Sequence, residues 1–313
     1  MTPSILVVGA TGNTGRNVVR TLPDLLKANK QNYRILAVTR DAKTPAALSV
    51  AGIPDVELIE KDWTEIDASW LKENGVARAY VTSHNTLSQF TDESRLFVAM
   101  LHAGVKYIVK ISTTEEDTRP ASSTFYGPAH WALEQMLSQP DFESLQWTSL
   151  RPNAFAGFIL APVVQWVKDF KRTGKQEPLK LVLGADDATA LIDADDIGNV
   201  GAALLALEDP TPHNKARYIL RGPKDISGKG LVDLVEQHAG VKVHDVLFRD
   251  TSIINDAVKY GYPAKLVPSM LAGLKPMWEG KATTFATPTS RAILELAPPK
   301  IDPSDVFKTM LEA

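Results

Sequence analysis

The sequence predicts an α/β protein in which a doubly wound parallel sheet carries a smaller, interleaved α+β lobe at its carboxyl-terminal end. Three observations support this fold class. Short apolar runs alternate with amphipathic stretches over the first half of the chain, a pattern typical of a parallel sheet covered by helices. A glycine-rich turn directly follows the first apolar run. Beyond Arg151 the alternation fades and helical patterns dominate.

Six apolar runs of strand length mark the predicted sheet. They are residues 4–8, 33–39, 56–59, 77–82, 107–112 and 146–150. The segments between them are long enough for the crossover helices that parallel strands require. In one of them, residues 90–103, apolar side chains fall at helical spacing and Gly104 follows as a stop signal. The first helix contains Pro23, which predicts a kink or a new start there.

The second half of the chain predicts the smaller lobe. Helical patterns cover residues 155–171, 195–207, 229–239, 253–260 and 265–278, and short strands are predicted near 179–182, 190–193 and 216–220. We assign residues 1–154 to the sheet domain and residues 155–313 to a lobe that covers the substrate. No linker separates the two parts, so we expect an interleaved boundary.

Composition excludes several classes of protein. The 313 residues include 34 Lys plus Arg, 37 Asp plus Glu and no Cys, with a net charge of -3. We therefore expect no direct nucleic-acid binding, and no disulfide, thiolate metal site, iron-sulfur cluster or thiol catalysis. The amino terminus lacks a basic leader pattern, and residues 152–167, uncharged but interrupted by proline, are too few to span a bilayer. The chain is expected to be cytoplasmic, without a metal or a membrane partner.

The glycine-rich turn has the sequence GATGNTG, with glycines at positions 9, 12 and 15. Glycine permits a tight turn, lets a pyrophosphate approach the backbone, and allows the following helix to pack closely on the strand. The amino terminus of that helix would direct free N–H groups at the anion. A plain glycine turn is the alternative, but a strand before the motif and a helix after it favour a dinucleotide site.

The end of the second strand distinguishes the two nicotinamide dinucleotides. An acidic residue there binds the adenosine ribose of NAD, whereas an arginine accommodates the 2′-phosphate of NADP. Arg40 stands at this point and Asp41 follows it. We predict NADP, with Arg40 as the phosphate ligand; alternatively, Arg40 is solvated and Asp41 holds the ribose. Nearby charges that could border the phosphate or adenine, or be ordinary surface, are those of Arg16, Lys43 and Asp62.

Polar residues follow the fourth and fifth predicted strands, where doubly wound sheets bind their ligands. The first set is Thr82, Ser83, His84 and Asn85, and the second is Lys110, Ser112, Thr113 and Thr114. The hydroxyls of Thr82 and Ser83 either contact the cofactor or close backbone bonds at the strand end. Lys110 either points into the site or is an exposed loop lysine.

Residues 124–137 predict a helix that begins at Pro128, with Tyr126 just before its first turn. Tyr126 and His130 have the spacing of the Tyr-x-x-x-Lys pair of short-chain dehydrogenases, in which a phenol donates a proton beside a cation. Histidine could itself be the donor, since it titrates near neutral pH. The alternatives are that His130 pairs with Glu134 on the same helix face and that Tyr126 is a half-buried loop aromatic.

Together these segments resemble a known family. The motifs GATGNTG, TRD, IVKIST, AHWALEQML, WTSLRPNAFAGF and LIDADDIGNVGAALLALED, spread over roughly residues 4–250, are similar to the NmrA-like branch of the atypical short-chain dehydrogenases. The resemblance implies a Rossmann domain, a small carboxyl-terminal substrate domain and a preference for NADPH. It also implies cofactor contacts from Gly9, Thr11, Gly12, Asn13, Thr14, Gly15, Arg40 and Ser83, with Asn153, Ala154 and Phe155 beside the nicotinamide and substrate.

The resemblance leaves two functions open. Isoflavone-reductase-like members carry a catalytic lysine where this chain has His130, as in the quinone-reductase-like members, and other members are regulators that sense redox state through a partner protein. We predict an NADPH-dependent reductase that transfers hydride to a carbonyl, quinone or enone of a small aromatic molecule, with His130, Tyr126 and Lys110 as catalytic candidates. Residues 155–167, Trp166, Met277 and Trp278 would form an apolar substrate pocket, or simply core. The alternative is a non-enzymatic NADP(H) sensor.

Overall fold

Seven parallel strands form the main sheet of the computed structural model, which describes residues 2–83 and 85–313. His84, from the polar set predicted after the fourth strand, lies outside the described residues. Numbered in chain order, the strands of the sheet are β1 (Ser4–Val8), β2 (Arg34–Thr39), β3 (Val56–Glu60), β4 (Val76–Val81), β5 (Tyr107–Ile111), β6 (Gln146–Pro152) and β8 (Ala216–Leu220). Their spatial order is β3-β2-β1-β4-β5-β6-β8. The short strands β7 (Leu179–Leu181) and β9 (Val246–Phe248) form a second, parallel pair.

Helices surround both sheets. They are α1 (Gly15–Ala28), α2 (Pro45–Ala51), α3 (Ala68–Glu73), α4 (Gln89–Ala103), α5 (Tyr126–Leu137), α6 (Ala156–Thr173), α7 (Ala194–Leu205), α8 (Gly228–Ala239), α9 (Ser252–Asp256), α10 (Val267–Ala272), α11 (Lys275–Trp278), α12 (Arg291–Leu296) and α13 (Pro303–Glu312). Within the described residues, no helix combines the length and the apolar character needed to cross a membrane.

The structure confirms the predicted doubly wound α/β class and corrects several elements. Helix α1 continues through Pro23 instead of restarting there. Residues 190–193 contribute only a single bridge, between Ile192 and Phe155, and not a strand. Helix α5 begins at Tyr126, so this residue belongs to the first turn and does not precede it. Gly104 ends α4 in the left-handed conformation, as predicted.

Strand β1 shows why the sheet is buried on both faces. All five of its residues are buried. Ile5 and Val7 belong to one hydrophobic core, which includes α1 and α7, whereas Leu6 and Val8 belong to another, which includes α4 and α5. Since successive side chains of a strand point to opposite faces, an uninterrupted apolar run is what a sheet covered on both sides requires.

The second half of the chain contributes to both parts of the molecule. Helix α7 packs against α1, where the amide of Asn17 donates to Asn199 Oδ1 at 2.8 Å, and β8 pairs with β6 in the main sheet. A third hydrophobic core, formed largely by α6, β7, α8 and α13, lies outside these layers. The division at residue 154 stays a prediction, and residues 194–220, together with α12, return to the sheet.

The topology determines where a ligand would bind. The chain places β2 and β3 on one side of β1, and β4, β5, β6 and β8 on the other. In open parallel sheets, ligands bind beyond the carboxyl ends of the strands at the point where this order reverses. That point lies between β1 and β4.

Candidate active site

A cleft of about 590 Å³ opens at the carboxyl ends of the strands. Three parts of the chain line it: the glycine loop after β1, the ends of β4, β5 and β6, and the lobe. The sequence-predicted site residues that line it are Gly9, Gly12, Asn13, Thr14, Ser83, Tyr126, His130, Asn153 and Phe155. Thr11, Gly15, Arg40 and Lys110 are not among the lining residues described.

Each of the three loop glycines is favoured at its position for a different structural reason. Gly9 has a φ of +79°, and an added Cβ would lie 2.7 Å from Thr82 Cγ2 and overlap the Thr82 carbonyl. At Gly15 an added Cβ would lie 2.8 Å from the Gly9 carbonyl carbon, so this glycine lets α1 pack on the loop. At Gly12 the only described atom that an added Cβ would approach within 4 Å is the Gly9 carbonyl oxygen, at 3.1 Å. The space beside Gly12 is therefore open to the cleft, as the approach of a pyrophosphate requires.

The loop also supplies free donors at the amino terminus of α1. Within the described part of the chain, the N–H groups of Asn13, Thr14 and Gly15 donate to no acceptor. The 14-residue helix directs the positive end of its dipole at the same place. Free N–H groups and a helix dipole favour an anion such as a dinucleotide phosphate.

Arg40 lies exposed at the end of β2. Thr64 hydrogen bonds, and to a lesser degree the Arg40 charge, hold the pKa of Asp62 below its usual value. Asp41 is engaged locally, because its carboxylate accepts a hydrogen bond from the Lys43 N–H at 2.8 Å. Among residues 2–83 and 85–313, no side chain forms a hydrogen bond or ion pair with Arg40, so its guanidinium is available to a ligand.

A buried polar group, here called the buried floor, lies under the cleft and consists of Gln89, Glu93, Lys110 and His130. Lys110 Nζ lies 3.3 Å from His130 Nδ1 and 4.0 Å from Glu93 Oε2. Gln89 Nε2 lies 3.1 Å from His130 Nε2 and donates to Glu93 Oε1 at 2.9 Å. Ser83 Oγ donates to the same carboxylate oxygen at 2.5 Å. The floor thus links a strand-end serine to the cleft histidine.

The electrostatic surroundings change the roles predicted for His130 and Lys110. Burial, together with the charges of Lys110 and Arg151, lowers the pKa of His130 well below its usual value. His130 is therefore neutral and offers one donor and one acceptor nitrogen. Lys110 is fully buried, which lowers its pKa despite the nearby Glu93 carboxylate. It does not line the cleft itself but contacts two residues that do, His130 and the carbonyl oxygen of Ile111. Its geometry suits a positioning residue.

Tyr126 lines the cleft with its ring edge against Phe125, at 5.3 Å between ring centres. No polar group in the described part of the chain hydrogen-bonds its hydroxyl. Gly273 of the lobe leaves room for this group, because an added Cβ there would lie 2.6 Å from Tyr126 Oη. Burial raises the pKa of the phenol, so it stays protonated and can donate a hydrogen bond into the cleft.

Glu134 does not pair with His130, which corrects the alternative considered for the helix. It accepts hydrogen bonds from Ser149 Oγ at 2.7 Å, from Arg217 Nε at 3.0 Å and from two nitrogens of Arg151. Burial alone would raise its pKa, but the Arg151 hydrogen bonds and the charges of Lys110 and Arg151 outweigh it and lower the pKa. Glu134 is thus a buried structural carboxylate beneath the site.

Asn153 provides an independent indication of a ligand. The residue is 2% exposed, and its amide nitrogen donates to the carbonyl oxygens of Ala190 at 2.6 Å and Ala282 at 3.1 Å. Its Oδ1 atom has no partner among the described residues. A buried acceptor without a donor is costly, and Asn153 is one of the residues that line the cleft, so this oxygen fits a ligand that donates a hydrogen bond, such as a nicotinamide amide.

The lobe supplies most of the apolar lining. Phe155 and Met277 line the cleft as predicted, together with Phe158, Ile159, Ile254, Tyr262, Met270 and Leu274. Trp166 and Trp278 are not among the described lining residues. The Trp166 ring stacks on Phe170 at 5.6 Å, and Trp278 Nε1 donates to the Val182 carbonyl at 2.7 Å.

Sequence reasoning missed the floor residues Gln89 and Glu93 and the cleft-lining carboxyl of Asp117. Gln89 and Glu93 are four residues apart on the buried face of α4, together with Leu96 and Phe97. A polar pair on an otherwise apolar helix face was a usable signal for buried chemistry. Asp117 carried no such signal, since it ends a run of three acidic residues in a loop.

Comparisons with known proteins identify the family to which the chain belongs. A sequence model of the NmrA-like family matches residues 1–288. The NAD(P)H azoreductase of Xenophilus azovorans is 28% identical over 266 residues, which cover 85% of this chain and 84% of that protein. The (4-alkanoyl-5-oxo-2,5-dihydrofuran-3-yl)methyl phosphate reductase of Streptomyces griseus is 26% identical over 225 residues, which cover 72% of this chain and 70% of that protein.

A solved structure shows the same fold. The triphenylmethane reductase of Citrobacter sp., crystallised with NADP(H), superposes with a TM-score of 0.73 at 19% identity, covering 98% of this chain and 100% of that chain. At this identity the likeness establishes the fold alone. The family match spans all but the last 25 of the 313 residues, and it confirms the resemblance. The chain belongs to the NmrA-like family.

Proposed function

We propose that the protein is an NADPH-dependent oxidoreductase of the atypical short-chain dehydrogenase type, which transfers hydride to a carbonyl, quinone or enone of a small aromatic molecule. The observation that carries this proposal is the shared cleft. The glycine loop lines the same cavity as Tyr126, His130 and Asn153, and the buried Oδ1 atom of Asn153 has no partner among the described residues. A dinucleotide on the loop would therefore extend towards polar groups and an apolar wall within one site.

The residues present fit a dinucleotide. The open space beside Gly12 and the free N–H groups of Asn13 and Thr14 would hold the pyrophosphate, and Asn153 Oδ1 would accept from the nicotinamide amide. Arg40 would bind the 2′-phosphate, with its planar guanidinium matched to phosphate oxygens. When bound, the reduced nicotinamide supplies the hydride that the substrate receives.

The chain's own groups position and polarise the substrate. The protonated hydroxyl of Tyr126, which has no hydrogen-bond partner among the described residues, would donate to the substrate oxygen as negative charge develops on it. Lys110 would donate to Nδ1 of neutral His130 and fix the ring from below, and the Nε2–H would donate to the substrate in place of its contact with Gln89 Nε2. In this proposal Tyr126 and His130 touch the substrate, and Lys110 acts through His130.

The lining favours a flat, conjugated substrate. Phe125, Phe158, Met270 and Met277 present aromatic and thioether surfaces to the cleft. The three similar proteins described above are, by name, reductases of an azo compound, a dihydrofuranone and a triphenylmethane. Extended conjugation is what these acceptors share, and we extend it to the substrate of this protein.

The direct test is NADPH oxidation with a panel of acceptors: a quinone, an aromatic enone, an azo dye and a triphenylmethane dye. We expect turnover with at least one conjugated acceptor, and none with a saturated aliphatic ketone of similar size. Tight NADPH binding without turnover on any acceptor would overturn the reductase proposal and favour the sensor function.

Dinucleotide choice tests the Arg40 assignment separately. Arg40→Ala should lower NADPH affinity about 10- to 100-fold, the equivalent of roughly 1.5 to 3 kcal/mol for a charge-assisted contact, and leave NADH affinity unchanged. Lys106→Ala, a matched loss of an exposed cation just before the amino-terminal end of β5, should change neither. Equal losses for NADPH and NADH in Arg40→Ala would contradict the assignment.

A further inference from the structure

The loop between β5 and α5, residues 112–125, carries three successive acidic residues with different surroundings. Glu115 forms an ion pair with Arg151, and Glu116 forms one with the fully buried Arg221, at 2.6 Å. Asp117, the third, lines the cleft and is 5% exposed. No lysine, arginine or histidine among residues 2–83 and 85–313 forms an ion pair with Asp117.

The partners of Asp117 are neutral hydroxyls. Ser122 Oγ donates to its Oδ1 atom at 3.2 Å, and Thr114 Oγ1 donates to its Oδ2 atom at 3.3 Å. The charged groups that face it are Glu116 and Arg119 on its own loop, and the Tyr126 phenol faces it from α5. A buried carboxyl without a paired cation favours its neutral, protonated form.

The loop holds Asp117 firmly against α5. An added Cβ at Gly127 would overlap the Asp117 carbonyl oxygen, and the Gly127 N–H donates to Thr124 Oγ1 at 3.2 Å. The two glutamate ion pairs attach the preceding residues to β6 and to the segment after β8. Asp117 is therefore fixed beside Tyr126 at the cleft surface.

We propose that Asp117 is the acid that protonates the reduced substrate, a step that rests on the proposed reductase function. The two groups predicted for this role suit it poorly, since His130 is neutral with a lowered pKa and the pKa of Tyr126 is raised. Burial raises the pKa of Asp117 above the ordinary 3.8, with a smaller contribution from Glu116, while the Ser122 and Thr114 hydrogen bonds oppose the shift. Asp117 is thus a carboxyl at the cleft whose raised pKa favours the protonated form that a general acid needs.

Hydride transfer and protonation by Asp117 together complete the reduction of the substrate. The conjugated substrate receives a hydride and is reduced, which leaves negative charge on its oxygen or nitrogen, and the dinucleotide is oxidised. The O–H bond of Asp117 breaks and an O–H or N–H bond forms on the product. The carboxylate then takes a proton from water before the next turnover.

The first experiment needs no substrate. Carboxyl ¹³C NMR titration of the cofactor-free protein, compared with Asp117→Asn, identifies the Asp117 resonance by its loss. We expect its midpoint above 3.8, the ordinary aspartate value. Ser122→Ala, which removes a hydrogen bond to the ionised form, should raise the midpoint further. Asp186→Asn, at a side chain 80% exposed, is the matched control and should leave the Asp117 resonance in place.

The second experiment uses turnover. The kcat of the wild type should fall as pH rises through the Asp117 midpoint, and this limb should move to higher pH in Ser122→Ala. In Asp117→Asn the limb should disappear and kcat should fall about 100-fold or more, within the usual range for a general acid. NADPH affinity and thermal unfolding temperature, measured for each variant, should match the wild type.

The outcomes separate the two proposals. An Asp117 midpoint at or below 3.8, or a limb that persists in Asp117→Asn, would overturn this assignment and leave the reductase function standing. Absence of wild-type turnover on every acceptor would overturn the reductase function, and this role for Asp117 with it.

Discussion

The buried floor and the β5–α5 loop border the same cleft, but they differ in how their buried carboxylates are paired. In and beneath the floor, opposite charges lie together: Lys110 near Glu93, and Glu134 with Arg151 and Arg217. In the loop, Asp117 is buried with hydroxyl partners only. The difference indicates that the floor fixes the position and neutral state of His130, whereas the loop presents a group that can exchange a proton.

Removing the carboxylate of Glu134, which lies beneath the floor, should have the largest effect on the stability of the protein. Glu134→Gln leaves Arg151 and Arg217 without their shared anion, and we expect a loss of about 3 to 5 kcal/mol in the free energy of unfolding. Chemical denaturation measures it. Glu295→Gln, which removes the exposed partner of Arg291, should have little effect. Similar stability of the two variants would contradict the structural role of Glu134.

The Glu134 contribution should also depend on pH. Because its pKa is lowered in the folded state, the native protein binds fewer protons than the unfolded chain, so stability rises with pH. The stabilisation is present above the ordinary value of 4.5 and is lost as pH falls through the lowered native pKa. Glu134→Gln should lose this acid dependence.

Lys110→Met should have an intermediate effect. It leaves Glu93 with the Ser83 and Gln89 donors but without its cation, and we expect a stability loss of about 1 to 3 kcal/mol. Since the Lys110 charge lowers the pKa of His130, the histidine pKa should rise. NMR titration of the imidazole protons measures the change, and an unaltered His130 titration would show that Lys110 does not control it.

Asp117→Asn should have the smallest effect on stability and the opposite pH dependence to Glu134. The raised native pKa of Asp117 means that the folded protein binds more protons, so its ionisation costs stability as pH rises above 3.8. At neutral pH the variant should be within about 1 kcal/mol of the wild type, or more stable. A marked loss of stability at neutral pH would show that the Asp117 carboxylate is a structural anion like Glu134.

The sequence predicted the glycine turn between β1 and α1 well because its determinants are local. Gly9, Gly12 and Gly15 stand between a buried strand and a helix, and the same few residues decide turn, packing and helix end. The continuous apolar run of β1 likewise predicted a strand buried on both faces. Such features need no knowledge of distant contacts.

The cleft chemistry depends on contacts far apart in the chain. The sequence cannot show which of Glu115, Glu116 and Asp117 lacks a cation, because the partners Arg151 and Arg221 come from β6 and the segment after β8. For the same reason the floor was recognised only in part. Lys110 and His130 were chosen from strand-end position and helix spacing, whereas Glu93 reaches them through the packing of α4.

The proposed reductase function requires a dinucleotide to bind at the glycine loop. Calorimetric titration of NADPH into Gly12→Val tests this most directly. Among the described residues, an added Cβ at Gly12 would make one tight contact, 3.1 Å from the Gly9 carbonyl oxygen, which is milder than the overlaps at Gly9 and Gly15. The side chain would fill the space assigned to the pyrophosphate. We predict a thermal unfolding temperature near that of the wild type and a loss of NADPH affinity of at least roughly 30-fold, about 2 kcal/mol. Gly157→Val, where an added Cβ meets no atom within 4 Å, should bind as the wild type does. Unchanged NADPH affinity in a folded Gly12→Val protein would contradict dinucleotide binding at the glycine loop.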